Sequence, residues 1–148
     1  MTTYRKVSHL TKTDTAYIAG FIDGDGTITL SRRHKNDNRQ LVVSISNTES
    51  NPLKYILECV GAGKITRKRA SQENHTPSLT YSISNRQALD LLSQITPYFK
   101  TYKKLRAQLV LDKYVELTPR NGKYTDSMRE DRKQFIRQFF QFQPGDLK

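Results

Sequence analysis

Between Ala16 and Gly26 the chain reads Ala-Tyr-Ile-Ala-Gly-Phe-Ile-Asp-Gly-Asp-Gly. This stretch constrains the fold more than any other. It is an apolar helical pattern, and Thr13 or Asp14 stands where an N-cap belongs. Ala16, Gly20 and Gly24 recur at i, i+4 and i+8 and line one helix face. An interior glycine costs a helix about 1 kcal/mol relative to alanine. Two on one face call for close approach by another helix, either inside the core of this chain or between two copies. Asp23, Asp25 and Gly26 close the pattern, and Gly26 suits a left-handed C-cap. Carboxylates are unfavourable at a helix C-terminus. A divalent cation would offset that cost, because hard cations take carboxylate and backbone oxygens.

The run Asp23-Gly24-Asp25-Gly26 is not an EF-hand. With Gly26 at the invariant glycine, the first and last ligand positions are Phe21 and Arg32; with Gly24 there, they are Ala19 and Leu30. None of these supplies the oxygen ligands that the loop requires.

With 148 residues the chain is read as one domain, 1–148, large enough for a core. Its formal net charge of +11 favours a polyanionic partner. The charge is clustered in three blocks: Arg32, Arg33, His34, Lys35 and Arg39; then Lys64, Arg67, Lys68 and Arg69; then Lys100, Lys103, Lys104 and Arg106. There is no signal-peptide pattern and no apolar run long enough to span a bilayer. An intracellular place, cytoplasm or organelle matrix, without membrane association is therefore expected. Cys59 is alone, which rules out a disulfide within the chain, and it falls in a core-like helical pattern. His9, His34 and His75 show no metal-ligand spacing.

The order of elements predicts an α+β fold. After a helix over 14–25, Thr27 to Arg33 alternates, with Ile28 and Leu30 on one face. Lys35 to Asn38 makes a loop, and Gln40 to Asn47 is a second strand with Leu41, Val43 and Ile45 inward. Pro52 to Val60 is a short helix ended by Gly61. Gly63 to Arg69 and Leu79 to Ser84 are two further strands. Asn85 caps a helix to about Ile95, Pro97 breaks it, and another helix runs from about Lys103 to Leu117. A terminal helix covers 126–142. In it Phe135, Phe139 and Phe142 share a core-facing stripe, while Arg129, Arg132, Lys133 and Arg137 face solvent or flanking phosphate.

The strands leave one face wet. It offers Thr27, Thr29, Ser31, Arg33, Gln40, Ser44, Ser46, Thr66, Lys68, Thr80 and Ser82, and no acidic residue. Any antiparallel sheet with one solvated face is polar there. Hydroxyls, amides and basic groups are also the side chains that contact base edges and phosphates.

Ile18 to Gly26 resembles the nonapeptide of the LAGLIDADG homing endonucleases. It matches at Ala19, Gly20, Ile22, Asp23, Asp25 and Gly26 and departs mildly at Ile18, Phe21 and Gly24. The resemblance extends over most of the chain as a single αββαββα repeat with a saddle-shaped antiparallel sheet and C-terminal helices. It implies a site-specific, double-strand DNA endonuclease that works as a homodimer and leaves short 3′ overhangs. The wet face would be the DNA-contacting saddle, with Arg33, Gln40 and Lys68 as the leading base contacts. Asp25 and the Gly24 carbonyl would ligate Mg²⁺ or Mn²⁺, while Ca²⁺ would bind without supporting cleavage. Ala16, Gly20, Asp23 and Gly24 would form the dimer interface, with Asp23 structural. A catalytic lysine would be Lys103, with Lys100 and Lys104 close by, and Glu49 would position water. Relatives of the fold also act as intron RNA maturases or as non-cleaving DNA-binding regulators. These commonly lose the motif acids, whereas Asp25 is present.

Overall fold

Helix α1, Lys12–Asp25, starts one to two residues before the expected cap. Thr11, in extended backbone, is the N-cap, and its hydroxyl accepts from the Asp14 N–H at 3.1 Å. Thr13 and Asp14 lie inside the first turn, where the Asp14 carboxylate complements the positive end of the helix dipole. The structure, a computed structural model, describes residues 6–67 and 76–148. The order continues β1 Gly26–Ser31, β2 Gln40–Asn47, α2 Ser50–Val60, β3 Lys64–Arg67, β4 Leu79–Ser84, α3 Asn85–Ile95. A 3-10 turn at Thr96–Tyr98, α4 Lys103–Lys113 and α5 Asp126–Gln141 complete it.

The chain passes from α1 into β1 with no turn. Gly26 is extended, φ −95° and ψ 171°, rather than left-handed. Its lack of a side chain matters for space: a Cβ there would sit 2.7 Å from the Ile22 Cα. By contrast Gly61 is a left-handed cap of α2 at φ +75°, as its position after Val60 predicts. Pro52 falls in the first turn of α2, where its missing N–H costs nothing.

The strands form one antiparallel sheet in the order β1-β2-β4-β3. The register pairs Ile28 with Val43 and Leu30 with Leu41, and sets Ile45 opposite Tyr81. These side chains are buried, together with Ile18, Ala19 and Ile22 of α1 and Leu91, Leu92 and Ile95 of α3. Fully burying each large apolar side chain is worth about 1.5–3 kcal/mol. Tyr81, in the core, donates to the Ala62 carbonyl at 2.7 Å, and burial pushes its hydroxyl pKa up. β1 ends at Ser31, so Arg33 lies in the following loop and not on a strand. Lys68, Arg69 and His75 lie outside the described residues.

Phe135 and Phe139 of α5 are buried and Phe142 is half-buried, as their stripe predicts. Two arginines read from sequence as surface charges are not. Arg132 is 5% exposed and donates to the Leu117 carbonyl, the Thr118 hydroxyl and the Arg39 carbonyl. Arg106 is 8% exposed and donates to the Ile28 and Phe142 carbonyls while lying over the Phe139 ring. A guanidinium has five donors and a flat apolar face, so it can tie loop carbonyls together under an aromatic lid. These two pin α5 to α4 and to the β1–β2 hairpin.

Candidate functional site

Asp25 is the last residue of α1 and its carboxylate is exposed. The pairing of Gly26 with Ile45 brings the end of β2 beside it. There the Asn47 side-chain amide donates to Asp25 Oδ2 at 3.1 Å. Asn47 Oδ1 in turn accepts from the Glu49 backbone N–H at 2.8 Å. Asn47 is a member of the site that sequence reading passed over in favour of Glu49. The available signal was its place as the final residue of β2, one step past Ser46. Glu49 is exposed and serves as the N-cap residue of α2 without a side-chain cap bond.

Asp23 points the other way. Its carboxylate accepts from the Lys100 N–H at 2.7 Å and the Thr101 hydroxyl at 2.6 Å, which ties the approach to α4 onto the end of α1. Lys103 completes the tie. It is 8% exposed, and its Nζ donates to the carbonyls of Ile22 at 2.8 Å and Asp23 at 2.9 Å. The last turn of α1 has no basic residue of its own. Lys103 therefore supplies from α4 the positive charge that a helix C-terminus carrying two carboxylates needs. Burial pushes the ammonium pKa down; the Asp23 and Asp25 charges pull it back up, and Arg106 adds a further downward push. Lys100 is exposed and Lys104 is half-buried.

Among the described residues no three His, Cys, Asp or Glu side chains converge. The oxygens at the end of α1 still suit a hard divalent cation in kind: an exposed carboxylate at Asp25 and the adjoining Gly24 carbonyl. They are too few for its six or more ligands, so phosphate, water or another chain must supply the rest.

The wet face of the sheet is continuous. Thr27 lies across from Ser44, Ser44 from Ser82, and Ser82 from Lys64. A second row joins Ser46, Thr80 and Thr66, and the Ser46 and Thr80 hydroxyls are bonded at 2.7 Å. Ser31 pairs with Gln40 at the far end, and Thr29 pairs with Val42, an apolar interruption. Every one of these polar residues is exposed or half-buried. Lys64 joins the face through its register with Ser82, two residues before Thr66 as the alternation of the strand requires.

On α1, Ala16, Gly20 and Gly24 are exposed. A Cβ built at Gly20 or Gly24 would meet no atom within 4 Å. The glycines therefore serve no helix crossing inside this chain. Tyr17, 43% exposed, and Tyr55, 46% exposed, stand edge to face beside this stripe. Among the described residues no helix is long and apolar enough to cross a membrane.

A family model described as LAGLIDADG endonuclease matches residues 18–126. The chain belongs to this family. No curated protein sequence matches it. The fold is shared with solved LAGLIDADG structures at low identity. The homing endonuclease I-CvuI, in complex with DNA in the presence of Mg, is 20% identical with a TM-score of 0.72. That match covers 93% of this chain and 86% of the other. An archaeal intron-encoded homing endonuclease, I-Vdi141I, complexed with DNA, is 19% identical with a TM-score of 0.66, over 88% and 84% of the two chains. The LAGLIDADG meganuclease I-AabMI, bound to uncleaved DNA, is 20% identical with a TM-score of 0.62, over 82% of this chain and 43% of that one.

Proposed function

We propose that this LAGLIDADG protein is a homodimeric, site-specific DNA endonuclease that hydrolyses one phosphodiester in each strand and leaves short 3′ overhangs. One observation carries the reading: the exposed Asp25 carboxylate ends the same helix that presents an unoccupied glycine stripe outward. Two copies joined through Ala16, Gly20 and Gly24 bring two Asp25 carboxylates to the axis between them, one for each strand.

Asp25 and the Gly24 carbonyl hold a divalent cation, Mg²⁺ or Mn²⁺. Structures of I-CvuI with DNA in the presence of Mg, where the DNA is not cleaved, and of Ca are consistent with use of a divalent metal. When bound, the ion supplies an acidified water and relief of charge on the phosphoryl and leaving oxygens. Ca²⁺ takes the same oxygens without supporting cleavage. The chain's own residues prepare this site. Asn47 donates to Asp25 Oδ2 and so fixes the carboxylate's orientation. Lys103 and the Asp23 cap hold the end of α1 still. Thr27, Ser44, Ser46, Thr66, Thr80 and Ser82 face the bases and phosphates, with Gln40 at the end away from Asp25 and Lys64 on the far edge strand.

The test is selection of duplexes from a random pool, followed by cleavage of the enriched DNA. Linear cuts in Mg²⁺ that stop with EDTA support the reading. Duplexes bound tightly but left intact in Mg²⁺ and Mn²⁺ would overturn it.

A further inference from the structure

The end of the sheet opposite Asp25 holds a hydrogen-bond relay with a defined polarity. The Leu41 N–H donates to the Tyr114 hydroxyl oxygen at 3.1 Å. The Tyr114 hydroxyl lies 2.7 Å from Asn85 Oδ1. Tyr114 is 1% exposed, so the reverse amide orientation at Asn85 would leave the hydroxyl hydrogen buried with no acceptor. Asn85 therefore accepts through Oδ1 and turns its Nδ2 outward. That Nδ2 donates to Gln40 Oε1 at 3.4 Å. Gln40 then presents its Nε2 group, and Asn85 its second Nδ2 hydrogen. Tyr114 thus fixes Asn85 with its donors out, and Asn85 in turn biases the exposed Gln40 amide to the same orientation.

Asn85 holds this position at φ +54°, the only positive φ at a non-glycine residue among the described ones. Such strain persists where the surroundings dictate it, and it clusters at functional positions. The pair borders a groove of about 1100 Å³ that Lys64 and Arg120, both exposed, also line. Those two cations suit the phosphates flanking a base read by the amides.

We propose, resting on the endonuclease reading, that Gln40 and Asn85 form a pre-oriented donor pair that reads guanine in the major groove, with Tyr114 as its positioning residue. Guanine shows two acceptors, N7 and O6, to two donors. Adenine shows N7 and a donating amino group, which would meet a donor. An unconstrained glutamine prefers adenine, because it can offer one donor and one acceptor. The relay biases Gln40 against that option.

The experiment is selection from a random duplex pool with wild type, Asn85→Gly and Tyr114→Phe, scored base by base. Asn85→Gly keeps the left-handed backbone without strain, although it leaves the buried Tyr114 hydroxyl without its acceptor. Wild type is expected to prefer guanine over adenine by about tenfold or more at one position in each half-site. In both variants that preference falls toward parity or passes to adenine, while the other positions keep theirs. Where Asn85→Gly melts early, Tyr114→Phe decides alone. Identical profiles for wild type and variants, or adenine at every position that the variants alter, would overturn the proposal and leave the endonuclease reading standing. Failure to enrich any duplex would overturn both.

Discussion

At the residue scale, Lys103 shows how burial changes a role. Its ammonium is committed to two carbonyls at the end of α1, at 2.8 and 2.9 Å. Lys103→Met should therefore destabilise the protein by about 1–3 kcal/mol, the cost of leaving buried acceptors unpaired. Urea denaturation checks it; an unchanged midpoint would return Lys103 to the surface. Gly26→Ala should also destabilise, by about 1–3 kcal/mol, because its Cβ meets Ile22 at 2.7 Å. Gly20→Ala meets nothing within the chain and should leave the thermal stability of the monomer unchanged or raised. These differences were not legible in the sequence. Gly26 reads there as a left-handed cap, whereas its backbone is extended and it is space against Ile22 that calls for glycine, and Lys103 reaches across 81 residues to Ile22. Arg106 and Arg132 look like the other surface cations until their distant carbonyl partners are known. The same holds for Asn47, whose partner Asp25 comes from another element.

At the element scale, strands were legible where side chains alternate. Gln40–Asn47 and Leu79–Ser84 fall at their expected bounds because period two survives in each, inward and outward. Helix starts were less legible. Thr11, Thr13 and Asp14 are all competent caps, and only the extended backbone at Thr11 separates them. The outward stripe of α1 gives this scale its prediction. Gly20→Leu should leave the monomer folded and abolish the dimer, since the new side chain enters open space in one copy and a helix crossing in two. Sedimentation velocity distinguishes the outcomes, and a Gly20→Leu dimer as tight as wild type would remove α1 from the interface.

At the scale of the whole molecule, the two signatures that the motif stretch carries become one device. In the proposed dimer the glycines bring helix ends together, the carboxylates mark where the ends meet, and the wet sheet beside them tracks a polyanion. With a net charge of +11, DNA binding should fall steeply with salt. The log–log slope should be about 0.9 for each phosphate neutralised. A fluorescence titration between low and moderate salt reads it, and a flat response would remove the basic saddle. The family and its architecture were legible because the nonapeptide and the element order agree; the DNA sequence read by the saddle depends on side-chain contacts that no periodicity encodes. The most direct test of the central claim is Asp25→Asn, assayed for cleavage and binding on one enriched duplex in Mg²⁺. The account predicts cleavage reduced by roughly 10³-fold or more, the equivalent of several kcal/mol of metal-assisted stabilisation, with binding retained. Cleavage near the wild-type rate, or loss of binding by a folded variant, would contradict it.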